Sequence, residues 1–254
     1  MTIERVTVGC ALRGRALPGQ LVEVPVADRA AVGLALGLSL GGKRPVVELD
    51  GTHSLLAVVE VLAEAVRLGA PLVLTVPCGG EAGPLVDRAT VSAVLAVPGV
   101  TVVVASDAAA SARLVAHLQE AGAIAVVLTP RALFDGAAYG PSDGVAARVL
   151  RRGDVASVVT WGAGVERVLA AAESLAHESS VDVIDLVALA PIDVATLTER
   201  VRATGRLVIA DPGDGVGHAV LWPAVAQAFD WLESPPVVVP VDDVVEAVRA
   251  VRAY

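Results

Sequence analysis

No asparagine occurs anywhere in the 254 residues, and cysteine is limited to Cys10 and Cys78. Two cysteines cannot build a disulfide framework, and neither lies in a metal-ligand spacing, so two reduced, partly buried thiols are expected. The four histidines, His53, His117, His177 and His218, are scattered; a zinc site built by this chain alone is not expected. Basic charge is short as well: 19 Lys and Arg stand against 28 Asp and Glu, a net −9. That balance argues against nucleic acid as a partner, because phosphates need a basic face. No apolar run reaches the roughly 18 uncharged residues of a membrane span. Lys43, Arg44 and Glu48 interrupt the best candidate. The N-terminus carries Glu4 and Arg5 and no apolar stretch of the signal-peptide kind, so no membrane contact and a cytoplasmic location are expected.

Hydrophobic residues are abundant instead, at 55% of the chain, with a mean hydropathy of +0.68. Much of this is Ala and Val, which suit the packed faces of an α/β sheet; the remainder suits an obligate subunit interface. The length accommodates two domains. Short Val, Ile and Leu runs alternate with longer Ala, Leu, Glu and Arg stretches, the rhythm of a parallel sheet buried on both faces. Strands are predicted at Arg5–Val8, Pro45–Glu48, Leu72–Val76, Thr101–Val104 and Ala125–Leu128, with helices at Arg29–Leu40, Leu55–Leu68 and Ala108–Ala121. Pro77–Pro84, rich in glycine, reads as a loop. Turn-formers crowd Phe134–Gly144, which reads as a linker. The rhythm then restarts with strands at Ser157–Thr160, Val181–Leu186, Leu207–Ala210 and Val237–Val239. Helices are predicted at Val165–His177, Val194–Thr204 capped by Asp193, Ala219–Leu232 and Asp242–Arg252. The expectation is an α/β chain of two consecutive domains with parallel or mostly parallel sheets flanked by helices: residues 1–135, a linker at 136–152, and residues 153–254.

The stretch Pro25-Val26-Ala27-Asp28, continuing through Gly33, Ala35, Gly37, Gly42, Arg44, Pro45 and Glu48, resembles a specific pattern. It is T-P-x-x-E-x-G-x-x-G-x-A-x-G-x-x-x-x-G-x-R-P-x-x-E, from the pyrimidine-binding domain in beta subunits of thiamine-diphosphate-dependent 2-oxo acid dehydrogenases and, more loosely, of transketolases. Further matches follow in order: Pro98-Gly99-Val100-Thr101-Val102-Val103, Gly162, Val183-Ile184-Asp185-Leu186, Leu189-Ala190-Pro191-Ile192-Asp193, Thr204-Gly205-Arg206-Leu207-Val208 and Gly215-Val216-Gly217. The resemblance covers about residues 20–240. Gly33 and Gly37 lie four apart on one helical face and allow close helix–sheet or helix–helix approach.

The resemblance implies a division of labour. A separate alpha-type subunit holds the diphosphate and Mg²⁺ of thiamine diphosphate, and the beta subunit supplies an acid to the aminopyrimidine ring. The family places its metal at a Gly-Asp-Gly motif with an Asn some thirty residues later. Gly213-Asp214-Gly215 imitates the motif, but it falls in the C-terminal half and no Asn follows, so a solvated turn is expected and no metal. The family's activating Glu is Asp28 here, one methylene shorter; Asp28 would serve the cofactor, cap the helix from Arg29, or do both. Two aromatic positions flanking the pyrimidine are Gly51 and Ser54. Between them His53 would be a proton carrier in the pocket or a packed histidine at a strand–helix junction. The family's acyl-transfer histidine aligns near Val86-Asp87-Arg88, where no histidine stands; this argues against transfer to a lipoyl partner. Asp87 and Arg88 read as a solvated loop pair, or Arg88 as a contact to an anionic substrate. His218, and Trp222 and Trp231 on the last long helix, read as core or interface anchors.

The implied function is a beta-type subunit of a divergent enzyme that cleaves or forms a carbon–carbon bond next to a carbonyl, on a 2-oxo acid or ketose. It would work within α₂β₂, with its own beta dimer. The alternatives are a scaffold or regulatory subunit that kept the fold and lost the site, and a protein binding another ligand at Gly79–Gly83.

Overall fold

The computed structural model describes residues 5–9, 19–24, 28–79, 84–131, 144–213 and 215–254. Two sheets organise them. The first holds strands β1 (Arg5–Gly9), β2 (Gln20–Glu23), β3 (Arg44–Glu48), β4 (Leu72–Cys78), β5 (Thr101–Val104) and β6 (Ile124–Pro130). Its helices are α1 (Asp28–Leu40), α2 (His53–Leu68), α3 (Pro84–Leu95) and α4 (Ala108–Ala121). The second sheet holds β7 (Arg148–Arg151), β8 (Ala156–Thr160), β9 (Val181–Asp185), β11 (Leu207–Asp211) and β12 (Val237–Pro240). Around it lie α5 (Gly164–Ser174), α6 (Val194–Thr204), α7 (Gly217–Ala228) and α8 (Val244–Arg252). All pairings among β1–β6 are parallel, and only β7 runs antiparallel in the second sheet. The mostly parallel α/β architecture expected from the apolar runs is what the chain adopts.

One strand crosses between the two halves. After β9 the chain turns through Val187, at φ 56, into β10 (Ala188–Ala190), which pairs antiparallel with β5 at the edge of the first sheet. Val104 N–H donates to the Val187 carbonyl at 2.8 Å. Ser106 Oγ donates to buried Asp185 at 2.7 Å, and Arg148 closes on the same carboxylate at 2.5 Å. Gly162, at φ +53, must be glycine: a Cβ there would stand 2.7 Å from Val104 Cγ1. Leu74, Val76, Trp161, Ile184 and Leu186 belong to one continuous hydrophobic core shared by both sheets.

Several expectations are corrected. Asp87 and Arg88 are not loop residues but stand on α3, which Pro84 opens, and proline is pre-organised for a first helical turn. Stretch 136–152 ends in β7, an edge strand with half-buried residues; residues 136–143 lie outside the described residues, as do Asp214 and Gly80–Gly83. The helix predicted at Ala219–Leu232 ends at Ala228 and gives way to a 3-10 turn, Phe229–Trp231. Gly33 and Gly37 make no close approach among the described residues: a Cβ at either would meet nothing there within 4 Å.

Asp193 caps α6 as predicted, accepting from Thr196 N–H at 3.1 Å and Thr196 Oγ at 2.7 Å, and it also accepts from Ala147 N–H at 3.2 Å. Partial burial pushes this carboxyl up, but those hydrogen bonds outweigh it and hold it below the ordinary aspartate value. A lowered folded-state pKa stabilises above the unfolded value, near 3.9, and that contribution fades as pH falls through the folded one. Asp193→Ala should therefore cost about 1 kcal/mol at neutral pH. The difference from wild type should shrink below about pH 4 in denaturant melts; an undiminished difference at pH 3 would contradict the assignment.

Candidate functional site

In open parallel sheets, ligands bind at the C-terminal ends of the strands, where connections set off in different directions. At that edge of the first sheet β3 runs through Leu49 and Asp50 to a tight turn that starts α2. Ser54 N–H donates to the Gly51 carbonyl at 3.1 Å and Leu55 N–H to the Thr52 carbonyl at 2.9 Å. Gly51, Thr52 and Ser54 are buried, while His53 is exposed. The His53 imidazole folds back over Gly51, where a Cβ would stand 3.0 Å from Nδ1. Ser54 is 1% exposed, yet its Oγ has no hydrogen-bond partner among the described residues.

Arg131, just past β6, donates from Nη2 to the Asp50 carbonyl at 3.0 Å and so fixes a guanidinium on the same turn. This residue was not singled out from the sequence, because its anchor is a backbone carbonyl far away in the chain.

Asp28 stands in the first turn of α1, half-buried, where a carboxylate suits the positive end of the helix. Helix α1 packs along α2, and Arg29 pairs with Glu60 of α2 at 2.6 Å. The Asp28 carboxylate makes no hydrogen bond or ion pair among the described residues. Gly51, His53, Ser54 and Arg131 thus share one turn, with Asp28 on the adjoining helix.

Arg88 points elsewhere. Its methylenes lie over Gly215 of the glycine loop before α7, with Arg88 Cδ 2.8 Å from where a Gly215 Cβ would be. That loop is shaped by Asp211, whose carboxylate accepts from Gly213, Gly215 and Gly217 N–H at 2.8, 3.1 and 2.8 Å. Arg88 therefore belongs to the junction between α3 and the second sheet. A cavity of about 400 Å³ lies at the far, N-terminal end of that sheet, lined by Asp154, Arg202, Arg206, Trp231 and Glu233. Its Arg202 guanidinium stacks 4.5 Å from the Trp231 ring. Neither Trp222 nor Trp231 is a core residue, at 74% and 39% exposed.

Residues 145–252 match the transketolase C-terminal domain family. The pyruvate dehydrogenase E1 component subunit beta of Staphylococcus aureus is 30% identical over 238 residues, covering 85% of this chain and 73% of that one. The chain belongs to the beta-subunit family of the transketolase and 2-oxo acid dehydrogenase type. The Rhizobium meliloti subunit of the same name is 29% identical, and this chain spans about half of it, 52%. In overall fold this beta subunit resembles a split-gene transketolase described as an inactive beta4 tetramer, with TM-score 0.80, 20% identity and coverage of 98% and 92%. It also resembles transketolase from Campylobacter jejuni, with TM-score 0.71, 11% identity and coverage of 97% and 43%.

The family is thiamine-diphosphate-dependent, and the turn at α2 fits the ring end of such a cofactor on three counts. Among the described residues Asp28 offers a carboxylate without a partner, Ser54 a buried hydroxyl without one, and Gly51 a position without a side chain. For the metal end, no group of three His, Cys, Asp or Glu gathers among the described residues, and no helix there is long and apolar enough to cross a membrane.

Proposed function

We propose that this chain is the beta-type half of a thiamine-diphosphate-dependent enzyme acting next to the carbonyl of a 2-oxo acid or ketose, in a site completed by an alpha-type chain. The observation that carries the reading is the Asp28 carboxylate, without a hydrogen bond or ion pair among the described residues, in the first turn of α1, the helix that packs along α2. When bound, the cofactor supplies carbanion-stabilising chemistry for cleaving or forming the carbon–carbon bond. Asp28 is the residue that would hold the aminopyrimidine ring, through its carboxylate. His53, exposed on the rim, would pass a proton to or from the reacting group. The partner chain holds the diphosphate and Mg²⁺, which want oxygen ligands.

The test is calorimetric titration of thiamine diphosphate with Mg²⁺ into the chain alone and into its co-purified complex with an alpha-type chain. Binding by the complex, weakened in Asp28→Ala, is the expected result. A tight complex that binds no cofactor would overturn it and leave the second reading, a scaffold subunit. The scaffold is favoured by one feature, two exposed apolar side chains, Trp222 on α7 and Phe229 in the 3-10 turn after it, 74% and 69% exposed.

Association itself rests on α1. Gly33 and Gly37 are exposed, and a Cβ at either would meet no atom of the described residues within 4 Å, so the close approach they allow is to a second chain. Gly37→Leu should leave the isolated chain as stable or up to about 1 kcal/mol more so, since glycine is a poor helix former. The same change should weaken subunit association about tenfold or more through overpacking, read by analytical ultracentrifugation. Unchanged association would place the partner elsewhere.

A further inference from the structure

The N-terminal end of the second sheet holds a cavity of about 400 Å³, between the last turn of α6 and the 3-10 turn after α7. Helix α6 ends on its wall at Gly205. The C-terminal end of a helix carries partial negative charge and favours a cation beside it.

The side chains continue that sign. Arg206 is engaged inside the fold, pairing with Glu233 at 3.2 Å and donating to the Val251 carbonyl at 2.9 Å. What remains is Arg202 against two exposed carboxylates, Asp154 and Asp230. Neither carboxylate makes a hydrogen bond or ion pair among the described residues. An anion entering this space meets both acids and the carbonyl end of α6, whereas a cation is attracted by all three.

Arg202 shows which kind of cation the walls accept. Its guanidinium makes no ion pair among the described residues and lies 4.5 Å from the centre of the Trp231 ring. Tryptophan is the aromatic best suited to a cation, and a planar guanidinium stacks on its face. Trp231 is 39% exposed, so part of it stays open to a ligand. The volume suits a small molecule.

We propose that this cavity binds a small organic cation with a guanidinium or amidinium group, its plane against Trp231 and its charge between Asp154 and Asp230. The bound cation takes the ring surface that Arg202 covers, and Arg202 turns out to solvent. The site is independent of the thiamine-diphosphate reading and stands or falls without it.

Agmatine is the probe, titrated into the full chain while the indole N–H signals of its three tryptophans are followed by NMR. The signal lost in Trp231→Leu identifies that ring. A saturable shift of the Trp231 signal, with a Kd on the order of 1 mM, is the expected result for a few weak contacts. The double variant Asp154→Asn with Asp230→Asn, both changes on exposed side chains, should raise that Kd about fivefold. Arg202→Ala should lower it about fivefold, because it uncovers the ring and removes a like charge. Sodium chloride at the same ionic strength should leave the Trp231 signal in place. The absence of a saturable shift overturns the proposal, as does a shift that sodium chloride reproduces or that all three signals share equally. A Kd that either variant leaves unchanged overturns it too.

Discussion

Asp28→Asn is expected to lower the turnover of the reconstituted complex by about 10²- to 10⁴-fold, the range lost when a positioned acid or base is removed. The change is nearly isosteric, and asparagine is as good as aspartate at the start of a helix. The fold should lose only the charge–dipole contribution at the first turn of α1, about 0.3–1 kcal/mol. Asp28→Glu is the informative companion. It moves the carboxyl outward by about 1.5 Å, against a tolerance near half an ångström in a working site. A backbone arranged around the shorter acid should then lose about 10²-fold in turnover. Steady-state assays of both variants, with melting curves alongside, separate the cases. Turnover untouched by Asp28→Asn would remove this residue from the chemistry and strengthen the scaffold reading. A gain with Asp28→Glu would show that the site still has the geometry of the longer acid.

Most of the architecture was legible because it is written in local patterns. The runs at Thr101–Val104 and Ala108–Ala121 became β5 and α4 with those bounds, and Asp193 caps α6 through the hydrogen bonds its side chain favours. The misses are elements whose stability is not local. Strand β10 is three residues long and exists because β5 of the other sheet offers an edge. Strand β2 is an exposed edge without an apolar signature. Helix α3 follows a glycine-rich run, and its opening proline reads equally as the end of a loop.

The site divides the same way. Asp28, Gly51, His53 and Ser54 were singled out as candidates through a resemblance with ordered spacing, and the last three stand on one turn. Arg131 could not be found, since nothing in its sequence context records a bond to the Asp50 carbonyl. Nor does the sequence record that Arg88 lies against Gly215, a contact made by the packing of α3 on the second half. Glycines carried an ambiguous signal. Gly162 is required by a contact inside the chain, whereas Gly33 and Gly37 face outward, and the residue type is the same.

The largest stability effect should come from Arg200→Met. Arg200 lies on α6, 7% exposed, and grips Asp182 of β9 through Nε–Oδ2 and Nη2–Oδ1 bonds of 2.8 Å each. Asp182 is fully buried and also accepts from Gly153 N–H at 2.8 Å and Ser157 Oγ at 3.1 Å. Removing the guanidinium leaves a carboxylate in the interior with two neutral donors and no counter-charge. Breaking a buried pair from one side costs about 3–5 kcal/mol, which for a chain of this size is a fall of about 6–20 °C in melting temperature. The pair as a whole contributes far less than that, because both charges were desolvated to form it. The double variant Asp182→Asn with Arg200→Met removes the charge, keeps an acceptor for Gly153 N–H, and turns an amide donor toward the Ser157 hydroxyl, which can accept. It should therefore recover most of the loss. Denaturant melts of the four chains in that cycle give the coupling directly. Equal destabilisation in the single and double variants would mean that Arg200 acts by packing under α6, and that its charge is incidental to the fold.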